Sequence, residues 1–249
     1  MIAQPDFSPD DAEQYPIRLA GVYKSYCVGA VTTPVLYGVD LAVRRGTCVY
    51  LAGPSGSGKT TLLSILGCIL SADRGEVRIF GRDLAGLPPR ELTALRRDRV
   101  GFVFQRFHLI RGLNALENVC VPLILGGTPR RAAAERGMTL LEAMDLADKA
   151  AAHPRNLSAG QCQRVALARA LASDPELILA DEPTASLDAD NGRQIMELLR
   201  RLTTEEGRTA VVVTHDTRIF PFADYVFRLE GGRIAPTEEP APTASCQEG

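Results

Sequence analysis

Residues 53–60 read Gly53-Pro54-Ser55-Gly56-Ser57-Gly58-Lys59-Thr60, with Thr61 next, and complete the G-x-x-x-x-G-K-[ST] phosphate-binding pattern. No other stretch limits the fold so strongly. Small residues before the lysine let the backbone wrap an anion with its N–H groups turned inward. The apolar run Val49-Tyr50-Leu51-Ala52 before the loop suits a buried strand, and Leu62-Leu63-Ser64-Ile65-Leu66 after it suits a packed helix. Such a loop delivers phosphates to a helix N-terminus, where unpaired N–H groups and the macrodipole favour negative charge. Lys59 is placed to reach the β- and γ-phosphates of a nucleotide, and the Thr60 hydroxyl to ligate Mg²⁺. A glycine-rich turn of some other fold would need neither the strand, nor the helix, nor every fixed position filled.

The loop sits in an alternation of strands and helices. Ile17–Ser25 and Val35–Val43 alternate apolar and polar residues, as half-buried antiparallel strands do. Thr47–Ala52, Glu76–Phe80, Val100–Phe104, Leu177–Ala180, Ala210–Val213 and Tyr225–Leu229 read as further strands. Pro88 followed by Glu91, Leu92 and Leu95 predicts a helix with proline in its first turn. From about Gln105 to Asn156 the strand signal stops. Ala115–Val121 and Pro129–Met144 look helical there, separated by Pro122 and Gly126-Gly127. Helices return at Asp188–Arg201 and near Ile219. The pattern predicts a parallel α/β core with a β-rich N-terminal layer and a helical insertion of about 106–160. Residues 1–15 and 236–249, rich in proline and acids or lacking periodicity, are expected to be disordered, which leaves 16–235 as the folded domain.

Composition narrows the partners. The 28 basic and 30 acidic residues nearly cancel, so no electrostatic footprint for nucleic acid is expected. No apolar stretch approaches the roughly 20 residues needed to cross a bilayer. Met1–Tyr15 carries Asp6, Asp10, Asp11 and Glu13 without a basic residue, unlike a signal peptide, and the chain reads as cytoplasmic. The cysteines at 27, 48, 68, 120, 162 and 246 match no zinc spacing and read as small apolar residues of a reducing compartment.

Hydrolysis needs a carboxylate strand beside the loop. Leu177-Ile178-Leu179-Ala180-Asp181-Glu182 supplies four apolar residues and then two acids at a strand C-terminus, where ligands sit in open parallel sheets. Asp181 is placed to hold Mg²⁺, and Glu182 to orient and deprotonate the attacking water. Leu157-Ser158-Ala159-Gly160-Gln161 reads first as a helix start with Ser158 as N-cap. A small-residue helix N-terminus is also a second anion site.

With these residues in this order the chain resembles the nucleotide-binding subunits of ATP-binding cassette (ABC) transporters over roughly residues 16–236. Beyond the phosphate loop, Gln105 after Val103-Phe104 matches the family's Q-loop, and Leu157–Gln161 its signature motif. Asp181-Glu182-Pro183-Thr184 matches the carboxylate strand and turn, Ser186-Leu187-Asp188 the D-loop, and Thr214-His215-Asp216 the switch histidine. Tyr26, after Lys24-Ser25, stands where the family stacks an aromatic on adenine. Tyr26 read alone is also ordinary strand packing, with Tyr23 close by. Likewise Gln105 alone is a solvated loop residue and His215 a strand-end histidine.

The resemblance implies a P-loop NTPase with a RecA-like parallel core, an N-terminal antiparallel β layer and an inserted helical subdomain. It implies ATP and Mg²⁺ as cofactors, and a head-to-tail dimer with a second copy of the chain. Each ATP would lie between one copy's Gly53, Pro54, Ser55, Gly56, Ser57, Gly58, Lys59, Thr60 and Thr61 and the other's Ser158, Ala159, Gly160 and Gln161. Gln105 would sense Mg²⁺ and the attacking water, His215 would contact the γ-phosphate and hold Glu182, and Asp188 would cross the dimer. Ala159 stands where the family most often has glycine, and tolerance of its methyl is expected.

The resemblance further implies an integral-membrane permease as partner, docked on the helical insertion. Phe104, Phe107, Leu109 and Leu116 either line that groove or belong to the core. Gly101–Leu109 and Asn114–Val119 resemble the lipoprotein-release and macrolide-export ATPases. Gly53–Thr60 and Asp216–Asp224 resemble the heterocyst-glycolipid exporter ATPases. In that branch the protein would sit on the cytoplasmic face of the inner membrane through its permease, with a periplasmic adaptor beyond it. Its function would be to power export or lipoprotein and lipid release. The other readings are an ATPase that regulates a cell-envelope machine, as in cell-division relatives, and a soluble P-loop enzyme in which the signature and D-loop would have no role.

Overall fold

The computed structural model describes residues 12–235. Strands β1 (Ile17–Val28) and β2 (Val31–Val43) form a long antiparallel hairpin, and β4 (Arg74–Ile79) pairs with the other edge of β1, with β5 (Arg82–Asp83) outermost. This sheet runs β2-β1-β4-β5 and is the expected N-terminal layer. The second sheet runs β10-β9-β3-β8-β7-β6, where β3 is Cys48–Ala52, β6 Val100–Val103, β7 Leu177–Asp181, β8 Thr209–Thr214, β9 Tyr225–Glu230 and β10 Arg233–Ile234. Its pairs are parallel except β10 against β9.

The central strands are covered on both faces, so their sequences are continuously apolar. Period-two alternation divides them between two cores. Val49 and Leu51 of β3, Leu177 and Leu179 of β7, and Val211 and Val213 of β8 face a core shared with the N-terminal sheet and helix α1 (Lys59–Leu66). Cys48, Tyr50, Ile178, Ala180, Ala210 and Val212 face the other core. That core is built from α3 (Ala115–Leu125), α4 (Arg130–Ala143), α5 (Ala159–Leu171) and α6 (Ala189–Thr204). Helix α2 (Pro89–Arg99) precedes β6 and begins with the expected proline. The P-loop α/β architecture expected from the sequence is therefore the observed one.

Three local expectations need correction. Helix α3 runs through Pro122 to Leu125 instead of stopping at Val121, and turns at Gly126, whose N–H donates to the Pro122 carbonyl. The helix near Ile219 is a 3-10 turn over Thr217–Phe222 that contains Pro221. The folded chain also begins earlier than residue 16, because the carbonyls of Glu13 and Gln14 accept hydrogen bonds from Arg45. The rest of the expected lead-in, 1–11, and the tail 236–249 lie outside the described residues, as does Cys246. Cys48, Cys68, Cys120 and Cys162 are buried and unbridged, and burial pushes the Cys48 thiol up to about 12. Among the described residues no helix is long and apolar enough to cross a membrane.

Candidate nucleotide-binding site

The fully buried β3 ends at Ala52 and releases the loop 53–58 at the C-terminal edge of the sheet. Gly53 passes so close to β9 that a Cβ would lie 2.2 Å from the Leu229 carbonyl oxygen. Gly58, with φ +103°, is the N-cap of α1, and a Cβ there would lie 2.8 Å from Leu36 Cδ2 and 3.1 Å from the Val35 carbonyl oxygen. No side chain caps α1, so its first amides are free to serve an anion. Lys59 is buried and folds back along the loop, donating from Nζ to the carbonyls of Gly53 and Pro54 at 2.8 Å each.

Parallel pairing of β3 with β8 and of β8 with β7 brings three loops to one edge. An open cleft of about 740 Å³ results, lined by Pro54, Ser55, Gly56, Gly58, Lys59, Thr60 and Thr61 together with Gln105, Asp181, Glu182 and His215. Residues far apart in sequence thus converge as the motifs required. Thr60 Oγ1 donates to Asp181 Oδ2 at 3.1 Å. Burial raises the Asp181 carboxyl above its ordinary range, the Glu182 charge adds to this, and the Thr60 hydrogen bond and the Lys59 charge oppose it. Glu182 adopts φ +48°, and its N–H donates to the Val213 carbonyl at 2.9 Å. Its Oε1 stands 2.6 Å from His215 Nδ1, with the Glu182 side chain 13% exposed and that of His215 68% exposed.

Tyr26, on β1, places its hydroxyl 3.3 Å from Thr61 Oγ1, beside the start of α1. Its neighbour Tyr23 packs on Gly38 instead. The group Ser158–Gln161 does not line the cleft. Ser158 caps α5 in a reciprocal box with Gln161, and Gly160 abuts Asn191, whose Nδ2 donates to Asp188 Oδ2 at 2.7 Å. Asp188 in turn caps α6. The expected site residues therefore fall into two sets on one chain, the cleft set and the 158–161 and 188 set. Ala159 is an ordinary exposed helical residue, so its methyl strains nothing locally.

Several neighbours carried no signal in the sequence. Val35 and Val213 line the cleft. Gln163, wholly buried on α5, donates from Nε2 to the Pro183 carbonyl at 2.7 Å, just after Glu182. Of the apolar residues at the start of the insertion, Leu109 and Leu116 pack on the core, and Phe104 stacks between Phe102 and His108. Ile110, Ile124 and Leu125 are the large exposed apolar side chains there.

Residues 36–185 match the family model described as ABC transporter. The chain is 44% identical over 230 residues to the ABC transporter ATP-binding protein MJ0796 of Methanocaldococcus jannaschii, a match covering 90% of this chain and 97% of that protein. It is 45% identical over 233 residues to the macrolide export ATP-binding/permease protein MacB 1/2 of Paracoccus denitrificans. That match covers 91% of this chain and 35% of that protein, so the chain spans about a third of the MacB length. A solved structure described as a dimeric post-hydrolysis state of the MJ0796 cassette bound to ADP and Pi superposes with a TM-score of 0.84 at 43% identity. It covers 90% of this chain and 98% of that one.

Proposed function

The chain belongs to the ABC transporter family of ATP-binding ATPases, and from that premise we propose that it powers a membrane permease engaged in export across the cell envelope. The observation that carries the reading is the division of its site residues into two sets. The cleft gathers 54–56, 58–61, 105, 181, 182 and 215, while 158–161 and 188 stand elsewhere on the same chain. A head-to-tail pair of chains brings the second set of one copy over the cleft of the other. The dimeric state named for the MJ0796 cassette supports that arrangement.

In this mechanism Lys59 leaves the carbonyls of Gly53 and Pro54 for the β- and γ-phosphates of ATP, with the loop amides around them. The hydroxyl of Thr60 and carboxylate of Asp181, already within hydrogen-bonding distance, form an oxygen donor set suited to Mg²⁺, with Gln105 at its margin. The ion would neutralise developing phosphate charge. Glu182 accepts the proton of the attacking water, and His215 holds that carboxylate and meets the γ-phosphate. Tyr26 offers its ring to adenine. Catalysis is positioning and charge stabilisation, as phosphoryl transfer allows. The export role and the permease partner rest on the MacB relatives, whose names join ATP-binding to permease.

The test is Glu182→Gln in the purified chain with ATP and Mg²⁺. Hydrolysis should fall at least a hundredfold, and an ATP-bound dimer should accumulate in size-exclusion chromatography. Turnover within a few-fold of the parent would remove Glu182 from its role. Turnover lost with no dimer at high protein concentration would remove the two-chain site.

A further inference from the structure

We propose that Arg169 is a positioning residue for hydrolysis, its guanidinium holding the turn that carries Gln105 into the cleft; this rests on the reading of Gln105 given above. Strand β6 ends at Val103, and the chain turns back at once, the Phe107 N–H donating to the Phe104 carbonyl at 3.0 Å. The two residues that complete this turn, Phe107 and His108, have φ of +58° and +48°. Residues with bulky side chains rarely adopt that region, and they hold it only where the surroundings enforce it.

Arg169 is the enforcing group. From the last turn of α5, its Nη2 donates to the Phe107 carbonyl at 2.8 Å and its Nη1 to the His108 carbonyl at 2.6 Å. Among the described residues no other hydrogen bond reaches either carbonyl. The planar fork of a guanidinium fits two adjacent acceptors in a way an ammonium cannot. Among the described residues Arg169 forms no ion pair, and both its hydrogen bonds go to this backbone. The flanks are fixed as well. The Phe104 ring lies 5.2 Å from that of Phe102 and 4.7 Å from that of His108, both nearly parallel. Farther on, the buried Asn118 of α3 accepts the Ile110 N–H at 2.7 Å. Gln105 itself has no hydrogen-bond partner among the described residues, so its place in the cleft depends on the turn beneath it.

The clamp has a second consequence. Helix α5 begins at Ala159, capped by Ser158, and Arg169 lies ten residues beyond Ala159, about 15 Å along the axis. One rigid helix therefore joins the group that faces another copy's nucleotide to the turn that sets Gln105 over its own. A tilt of α5 on closure of the two chains moves Gln105 through Arg169.

A purely structural stitch would lower stability without touching the chemistry, so the test reads kinetics. Steady-state ATP hydrolysis is measured for the parent, Arg169→Ala, Gln105→Ala and the double variant, each across an ATP titration and, at saturating ATP, across a Mg²⁺ titration. Arg169→Ala should lower kcat about tenfold or more, leave KM for ATP within about threefold, and raise the Mg²⁺ needed for half-maximal rate. Gln105→Ala should do the same, and the double variant should be no slower than Gln105→Ala alone. Losses that multiply would overturn the proposal, as would a slow Gln105→Ala beside an Arg169→Ala of parental kcat and Mg²⁺ dependence. If Gln105→Ala itself kept parental kinetics, the reading of Gln105 would fall and this proposal with it. Should Arg169→Ala fail to fold by circular dichroism, Arg169→Lys carries the test. With a single donor group it should give an intermediate kcat, and parental kinetics would overturn the clamp.

Discussion

Glu182 and His215 meet at 2.6 Å although 33 residues separate them, because β7 and β8 are adjacent parallel strands that end at the same edge. Glu182 is fixed further by φ +48° and by its N–H on the Val213 carbonyl, at the end of the strand that leads to His215. Strand β8 and the residue after it thus grip the carboxylate residue twice, Val213 by backbone and His215 by side chain.

Removing that side-chain grip leaves the carboxylate in place with nothing to aim it. His215→Ala is expected to lower kcat on the order of a hundredfold, with little change in ATP binding. Single-turnover hydrolysis beside equilibrium binding of a fluorescent ATP analogue separates the two effects. A variant that bound ATP tenfold more weakly and turned over normally would place His215 in binding only.

The loop makes its own demand on sequence. A methyl group at Gly58 would meet Leu36 and the Val35 carbonyl, and φ +103° is strained for any L side chain. Gly58→Ala should cost on the order of 1–3 kcal/mol, read as a loss of nucleotide affinity of tenfold or more. The same variant should keep its circular dichroism spectrum, because the strain falls on the loop and not on β3.

The insertion hangs on one buried amide. Asn118 is fully buried, accepts the Ile110 N–H at 2.7 Å, and donates toward the carbonyls of Ile110, Leu113 and Asn114. Asn118→Leu keeps the volume and strands these backbone groups, at a cost of about 2–4 kcal/mol. Urea denaturation should show the loss directly. Because the same stretch begins at Gln105, hydrolysis should fall as well.

Legibility in the sequence followed distance along the chain. The phosphate loop is contiguous, with its chemistry written in eight successive residues. Asp181 and Glu182 were visible because an apolar strand ends in two acids. The meeting of Tyr26 with Thr61, or of Glu182 with His215, depends on sheet order, which no local pattern encodes. Arg169, Asn118 and Gln163 escaped for another reason. Each serves backbone carbonyls, and an arginine or amide that binds carbonyls looks in sequence like any solvated helix residue. The misplaced end of α3 has a similar cause, since Pro122 usually marks a boundary and here lies within a helix held by packing on α4 and α5.

The last relationship sets function against stability at Asp181. Burial holds this carboxyl above its ordinary range, and the neighbouring charge of Glu182 adds to the effect. A carboxyl whose folded pKa lies above its unfolded value binds its proton more tightly when folded. Folding is then favoured at low pH, and that contribution is lost as pH rises through the folded pKa. At neutral pH the ionised Asp181 is a destabilising charge retained for the cation it would hold. Asp181→Asn removes the charge and keeps the shape. Without nucleotide or Mg²⁺, the variant should therefore melt at a higher temperature than the parent at pH 7. The gap should narrow as pH falls through the folded pKa of Asp181, where the parent's native state takes up its proton. Hydrolysis should be lost by more than a hundredfold, since the amide is a poor Mg²⁺ ligand. Thermal unfolding across pH 4–8 reads the first effect. A variant less stable than the parent throughout that range would show that the Thr60 hydrogen bond outweighs the burial of the charge.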